Sequence, residues 1–300
     1  MGVKELTDLA IDPATGDYVY TSLKLSDGLT ALPKGYTKLN TLDLSNNKLG
    51  DVAELDGLAE IASLTDLNLA SNGLGALTLP SLPVLQQLTL ASNLLVNPPP
   101  LSSLPSLTSL DLSSNKISEF SDGSLGQAAK LTKLVLRGNA LTSTKGIGAC
   151  SSLRTLDVGA NQLTSLDDLS TLVALATLTV SSNQLASLAG VESLPSLTTL
   201  DAGANQLADV AAAAALASVE TLRAITIAGG GGDDEGAPPP NPLCDADNLK
   251  VELLALRPTL VTVDGEALLN AEKEEASALR AERAAAAAAE AAEEAGAAAE

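Results

Sequence analysis

The sequence predicts an α/β solenoid with a curved parallel β-sheet on its concave side, 3₁₀ or short helices on its convex side, and a helical tail. Two observations predict this fold. Apolar residues and one asparagine recur in the frame L-x-x-L-x-L-x-x-N-x-L, and the copies follow one another about every 22 residues. One copy cannot bury its own apolar face, so neighbouring copies must stack. The first clear copy contains Leu39, Leu42, Leu44, Asn47 and Leu49.

The recurring asparagine is expected to have a structural role. At the end of each strand its side-chain amide can satisfy backbone groups that the turn leaves unpaired. We therefore do not interpret these asparagines as functional residues. The frame is that of the leucine-rich repeat, and its asparagines are Asn47, Asn72, Asn93, Asn115, Asn139, Asn161, Asn183 and Asn205.

The chain divides into five predicted segments. Residues 1–36, with a strand-like alternation at Val19, Leu23 and Leu25, should cap the N-terminal end, and residues 37–228 should form the repeats. Residues 229–240 should be a flexible acidic Gly/Pro loop. Residues 241–265 should form a C-terminal repeat cap, in which a helix ends before Pro258 and a last strand follows. Residues 266–300 are rich in Ala and Glu and should form a helical tail.

The segments between the strands carry an apolar residue at every third position, as in Leu185, Leu188 and Val191. This period favours 3₁₀ turns over α-helices. Phe120 continues the pattern and is expected in the core. Cys150 also follows the apolar period and should be a small buried hydrophobe. A disulfide between Cys150 and Cys244 is not expected, which favours a reducing, intracellular compartment.

Composition argues against several classes of function. The chain has no histidine, which removes the usual general base and zinc ligand. It has no phosphate-binding loop and no calcium-loop spacing. We therefore predict no enzymatic activity, no cofactor, no metal and no small-molecule substrate. With 17 basic against 37 acidic residues, the net charge of −20 argues against nucleic acid as a partner. No signal peptide or membrane-spanning run is apparent, so no membrane association is expected.

The concave face is the candidate binding surface. Side chains between the inward-pointing leucines should point outward onto this face. Most of them are small and polar, a few are acidic, and none is aromatic. A basic island at Lys133 and Arg137 interrupts this face and would select an acidic segment of a partner. The alternative is a solvated sheet without a partner. The candidate protein-binding residues are Asp111, Lys133, Val135, Arg137 and Asp157.

Finer features resemble particular families. The 22-residue repeat and the closing Asn241-Pro242, helix and Val263-Asp264-Gly265 resemble the Sds22-like class. Residues 134–147, LVLRGNALTSTKGI, resemble the central repeat of the family of leucine-rich repeat-containing protein 23, also known as radial spoke protein 15. The order of longer and shorter repeats from about residue 20 to 265, the last repeat around Leu222 and the charged tail are similar too.

This resemblance implies a structural subunit of the ciliary axoneme that binds other proteins of a large assembly. The implied location is cytoplasmic and cytoskeletal, in the cilium or flagellum. The alternative is a soluble regulatory protein of the phosphatase-regulator or nuclear acidic type. The tail is mainly Ala with interspersed Glu and Arg, and the concave face lacks aromatic anchors. Both features favour the axonemal setting.

Overall fold

Two short strands mark the N-terminal end of the described structure. The computed structural model describes residues 10–11, 18–19, 39–47, 49–50, 55–120, 125–229 and 238–297. Strand β1 (Ala10–Ile11) pairs antiparallel with β2 (Tyr18–Val19). The rest of the predicted N-terminal cap, including Leu23 and Leu25, lies outside the described residues, as does most of the predicted acidic loop.

Nine repeat strands follow, and each pairs in parallel with the next. The middle residue of each strand is a leucine, or Ile225 in the last of them, and these side chains are almost completely buried. The predicted parallel sheet is therefore confirmed. The strands are β3 (Thr41–Asp43), β4 (Asp66–Asn68), β5 (Gln87–Thr89), β6 (Ser109–Asp111), β7 (Lys133–Val135), β8 (Thr155–Asp157), β9 (Thr177–Thr179), β10 (Thr199–Asp201) and β11 (Ala224–Thr226).

The asparagines form the predicted ladder at the strand exits. Asn161 shows the pattern: its Nδ2 donates to the carbonyl oxygens of Leu136 at 3.0 Å and Val158 at 2.9 Å, and its Oδ1 accepts from the Leu141 N–H at 3.0 Å. From Asn72 to Asn205, each asparagine thus joins its own repeat to the preceding one, whereas Asn47 bonds within its own repeat. The residue before each has a left-handed backbone with φ near +50° to +70°. This turn directs the asparagine side chain into the stack.

Hydroxyl side chains form further inter-repeat bonds that the sequence reasoning did not predict. The Ser152 Oγ donates to the Ala129 carbonyl at 2.8 Å, and Ser196 makes the equivalent bond to Val173 at 2.7 Å. These residues lie just before the strands, at the opposite edge of the sheet from the asparagines. Both edges of the stack are therefore tied by side chains that bond to backbone carbonyls.

Short 3₁₀ helices line the convex side, as the period of three predicts. Phe120 and Cys150 are buried in the core next to them, as expected. Burial raises the pKa of the Cys150 thiol to about 11, and both cysteines are free thiols. The 3₁₀ segments of the repeats are Asp56–Glu60, Leu101–Ser103, Ile147–Ala149, Asp167–Leu169, Val191–Ser193 and Val210–Ser218, and a further one, Pro242–Asp245, begins the C-terminal cap.

The last repeat contains an insertion between its strand and its asparagine. Gly229, with φ +60°, occupies the left-handed position that precedes the asparagine in other repeats. The asparagine that completes this turn is Asn241, which follows Gly229 after eleven intervening residues. The Nδ2 of Asn241 donates to Ala202 at 2.9 Å and Ile227 at 2.6 Å, and its Oδ1 accepts from Leu207 N–H at 3.0 Å. Asn241 is therefore the ninth asparagine of the ladder.

The C-terminal cap closes the core with a helix and a hairpin. Helix α1 (Leu249–Leu256) ends before Pro258, as predicted, and β12 (Thr262–Val263) pairs in parallel with β11. An additional strand, β13 (Glu266–Ala267), pairs antiparallel with β12 and forms the edge of the sheet. The buried side chain of Arg257 fixes the cap, because its Nε donates to the Leu216 carbonyl at 3.0 Å.

Helix α2 (Asn270–Ala297) is the predicted tail. Ala276 is buried and Leu279 packs against the core next to α1. Arg283 donates to both carboxylate oxygens of Glu252 in α1, at 2.9 Å and 2.8 Å. Beyond Arg283, the side chains that the structure describes are exposed. The helix is thus supported by the cap only over its first half.

The described residues hold neither a candidate metal site nor a candidate membrane span. No cluster of three or more Cys, Asp or Glu side chains there has an arrangement suited to a metal ion. Among the helices described, none has the length and hydropathy needed to span a membrane.

Candidate functional site

The strands present three outward columns of side chains on the concave face. One residue precedes the buried leucine in each strand, one follows it, and a third lies two positions further on. Because the strands pair in register, residues of one column come from equivalent positions of successive repeats. In β6, β7 and β8 the three columns contain Ser109, Lys133 and Thr155, then Asp111, Val135 and Asp157, then Ser113, Arg137 and Gly159.

The five predicted binding residues do lie on adjacent strands. Val135 is paired with Asp111 on one side and with Asp157 on the other. Lys133 begins the same strand and Arg137 follows its end, which separates their Cα atoms by about 13 Å. The predicted basic island is therefore two separate cations at opposite edges of the sheet. That these residues bind a partner remains a prediction.

The aspartates of the central column also stabilise the turns. The Oδ1 of Asp111 accepts the Ser113 N–H at 2.9 Å, and the Oδ1 of Asp157 accepts the Gly159 N–H at 2.9 Å. Asn68 makes the same bond to the Ala70 N–H at 3.0 Å. These local bonds hold the carboxylates in fixed orientations at the strand ends.

Arg137 lies across the neighbouring repeat. Its Nη1 is 3.4 Å from the Ser181 Oγ, two repeats further along the chain. Gly159 lies beneath it, and a Cβ at that position would come within 2.4 Å of the same nitrogen. The absence of a side chain at Gly159 therefore permits this arrangement. Since the guanidinium already interacts with neighbouring repeats, Arg137 is less available to a partner than its exposure suggests.

The electrostatic environment of Asp157 is mixed. Burial raises the pKa of its carboxyl group above the ordinary value. The Gly159 N–H and the Arg137 guanidinium oppose this rise, whereas the carboxylates of Asp201 and Asp111 add to it. The net effect is that the folded protein disfavours the charged form of Asp157.

We expect Asp157→Asn to raise the free energy of unfolding at neutral pH by a small amount, under about 1 kcal/mol. Asparagine retains the acceptor for the Gly159 N–H, as Asn68 does for Ala70, but removes the partly buried charge. A raised folded-state pKa means that ionisation destabilises the folded state. The advantage of the variant should therefore disappear as the pH falls through that pKa and below the ordinary aspartate value.

Urea unfolding of both proteins at pH 7 and near pH 3.5 measures this difference. Asp111→Asn is the matched control, since it makes the same change in the same column at a carboxyl group with the equivalent backbone bond. An Asp157→Asn protein that is less stable than wild type at pH 7 would contradict the expectation.

A second group of cations lies outside the predicted binding residues, at the edge of the sheet. Lys130 and Arg154 are exposed and flank Lys133 at the edge where the strands begin. The sequence signal was present: residues 123–156 include Lys130, Lys133, Arg137, Lys145 and Arg154 but no Asp or Glu. In a chain with a net charge of −20, this run is the exception.

A shallow pocket lies between α1 and α2, away from the concave face of the sheet. It is lined in part by Lys250, Asp264, Glu272 and Glu275. Several of these groups have structural partners. Lys250 forms an ion pair with Glu266, Asp264 accepts the Ile227 N–H at 2.7 Å, and Glu272 accepts the Leu269 N–H at 2.6 Å. The charged groups that line the pocket thus help to hold the C-terminal cap together.

Comparison with family models finds leucine-rich repeats in three places. A model described as "Leucine rich repeat" matches residues 83–141, one described as "Leucine Rich repeats (2 copies)" matches residues 129–171, and another leucine-rich repeat model matches residues 37–53. The first two overlap around β7. A search of curated proteins finds no significant match.

Three solved structures of bacterial proteins have the same architecture. Internalin C2 of Listeria monocytogenes is 29% identical with a TM-score of 0.52, and the match covers 61% of this chain and 78% of that one. An internalin (inlF) of the same organism is 19% identical with a TM-score of 0.59, over 82% and 72%. A repeat protein of Leptospira interrogans is 23% identical with a TM-score of 0.55, over 85% and 69%. The last two likenesses concern the fold alone.

Proposed function

We propose, from the premise that this chain is a leucine-rich repeat protein, that it is a non-catalytic adaptor that binds other proteins. Leucine-rich repeat proteins are generally non-catalytic binding scaffolds. One observation carries the proposal. The sheet presents in-register columns of polar side chains, and several of these side chains are held in fixed orientations by the fold. A surface ordered before binding loses less conformational entropy when a partner docks.

The setting that we propose is the ciliary axoneme, where the chain would be a structural, radial spoke-like subunit. The support comes from the sequence. Residues 134–147, the order of repeat lengths and the last repeat resemble the radial spoke protein 15 family. The charged helix that directly follows the cap adds to that likeness. In this setting the chain works by contact alone.

Two surfaces are available for such contacts. One is the concave face around Asp111, Lys133, Val135, Arg137 and Asp157. The other is the part of α2 beyond Arg283, where the described side chains are exposed and mostly alanine. Small side chains allow a neighbouring helix to approach closely. An adaptor with two separate surfaces can connect two larger proteins.

We expect an epitope-tagged full-length chain, expressed in ciliated cells, to remain with isolated axonemes after membrane extraction. The physical reason is that a structural subunit stays bound through protein contacts that detergent does not remove. Immunoblots of axonemal and soluble fractions provide the measurement. A diffuse or nuclear signal that is absent from axonemes would exclude the axonemal setting and favour a soluble regulator of the phosphatase-regulator or nuclear acidic type.

A truncation after residue 283 distinguishes the contribution of the helix from that of the concave face in the same assay. It removes the unsupported part of α2 but keeps Ala276, Leu279 and the Arg283–Glu252 ion pair. The solenoid should therefore stay folded, as judged by circular dichroism. The fraction bound to axonemes then shows how much the exposed half of the helix contributes.

A further inference from the structure

We infer that the edge of the sheet around Lys130, Lys133 and Arg154 is the docking site for an acidic polypeptide segment of a partner protein. This inference rests on the proposed adaptor function and identifies the chemistry of its partner. It also moves the binding site from the floor of the concave face to the edge where β7 and β8 begin. We call this surface the basic edge.

The three cations come from two adjacent repeats. Lys133 pairs with Thr155, and the Arg154 N–H bonds to the Thr132 carbonyl at 2.8 Å. Arg154 therefore stands beside the residue that precedes Lys133. Neighbouring strands are about 4.8 Å apart, so Lys133 and Arg154 lie within reach of one ligand. Lys130 precedes Lys133 by three residues in the turn that enters β7 and is also exposed.

Most other cations of the described structure already have partners. Arg137 bonds to Ser181, Arg223 to the Leu222 carbonyl, and Arg257 to the Leu216 carbonyl. Lys250 and Arg283 form ion pairs with carboxylates of the cap. Over the described residues, the three cations of the basic edge form neither ion pairs nor side-chain hydrogen bonds. Their full charge is therefore available to a ligand.

The surroundings of the basic edge suit an acidic segment. From β5 to β12, neither the residue that directly precedes the buried residue of each strand nor the residue before that one is Asp or Glu. Several of these positions carry uncharged hydrogen-bonding side chains, including the exposed amides of Gln86, just before β5, and Gln87, its first residue. An acidic segment lying along the edge would thus meet cations and neutral polar groups, and complementary charge favours its binding.

The same arrangement argues against a nucleic acid. Asp111 and Asp157 lie about two residues further along the strands, and the chain as a whole has a net charge of −20. A phosphate backbone usually requires many basic contacts, and here it would extend onto carboxylates. A short acidic segment can stay on the edge. Repulsion by the two aspartates would then keep an acidic partner at the edge of the sheet.

The test compares two triple variants of the full-length chain. Lys130→Gln, Lys133→Gln and Arg154→Gln remove the basic edge. Lys116→Gln, Lys273→Gln and Arg280→Gln remove three exposed positive charges elsewhere and are the matched control. All six positions are exposed, so both variants should keep the circular dichroism spectrum and the melting temperature of the wild type.

The probe is a fluorescein-labelled peptide of about a dozen alternating Glu and Ser residues, measured by fluorescence anisotropy at about 50 mM salt. We expect the wild type and the control variant to bind the peptide equally, and the basic-edge variant to bind it at least about tenfold more weakly. No binding by the wild type, or equal binding by both variants, would overturn the inference.

Two further arms test other occupants. If an oligothymidylate of the same length binds the wild type as tightly as the peptide and this binding is lost in the basic-edge variant, the site is for phosphate and the inference is wrong. If sedimentation shows self-association of the wild type that the basic-edge variant lacks, the occupant is the acidic tail of a second copy, and the foreign partner is excluded.

The axoneme assay separates this inference from the proposed function. If the wild type is found in axonemes and the basic-edge variant incorporates equally well, the function stands and the partner contact lies elsewhere. If the wild type is absent from axonemes but the peptide result is positive, the axonemal setting fails and the basic edge stands.

Discussion

Replacing Leu156 with alanine is expected to lower the free energy of unfolding by about 2–5 kcal/mol. Leu156 is the middle residue of β8, is completely buried, and pairs with Leu134 and Leu178 in the neighbouring repeats. Repeats on both sides hold the surrounding side chains in place. The cavity left by the missing atoms therefore cannot collapse easily, and the cost should be in the upper part of the range.

Urea unfolding followed by circular dichroism measures this loss. Leu94→Ala is the matched control, because it makes the same chemical change at a leucine whose side chain is 45% exposed. The control should cost less than about 1 kcal/mol. Equal losses in the two variants would mean that the stack does not hold Leu156 as the structure shows.

Asn183→Ala should cost about 2–4 kcal/mol, although it removes few atoms. The Nδ2 of Asn183 donates to the carbonyls of Val158 at 3.0 Å and Val180 at 2.9 Å, and its Oδ1 accepts from the Leu163 N–H at 2.9 Å. Alanine leaves these backbone groups without the amide. Because the groups belong to different repeats, the coupling between neighbouring repeats should weaken as well.

The neighbouring exposed Gln184 provides the control, since Gln184→Ala removes an amide without removing a buried hydrogen bond. We expect this control to remain within about 0.5 kcal/mol of the wild type. Hydrogen exchange at the Leu163 amide adds a local measurement, because this N–H should lose protection in Asn183→Ala. Unchanged protection of this amide would contradict the idea that the asparagine ladder couples neighbouring repeats.

The regular part of this fold follows from the sequence because every repeat meets the same constraints. A leucine in the middle of each strand, an asparagine at each exit and an apolar residue at every third position of the convex side all have one way to be buried in a stack. The positions of β8, Asn161 and the 3₁₀ segment around Val191 are therefore predictable from the sequence.

The features that were not predicted depend on relations between distant residues. Asn241 is separated from its strand by an insertion, so its offset from Ile227 does not match the repeat frame. Arg137 crosses toward Ser181 only because a later repeat has glycine at position 159. Lys133 and Arg137 are only four residues apart in the sequence, whereas the extended strand places them toward opposite edges of the sheet. Likewise, the sequence does not show that Arg154 lacks an ion pair, because the partners of the other cations are known only from the structure.

The insertion in the last repeat shows that this ladder depends on where an asparagine is in space and not on how the chain arrives there. Gly229 and Asn241 take the backbone and side-chain positions of consecutive residues, although eleven residues lie between them in the sequence. The peptide bond between the left-handed residue and the asparagine is thus a position where the protein can accept an inserted segment. The insertion does not shift the register of the repeats. In evolution or in design, such a position allows one solenoid to gain a new external domain while its sheet stays unchanged.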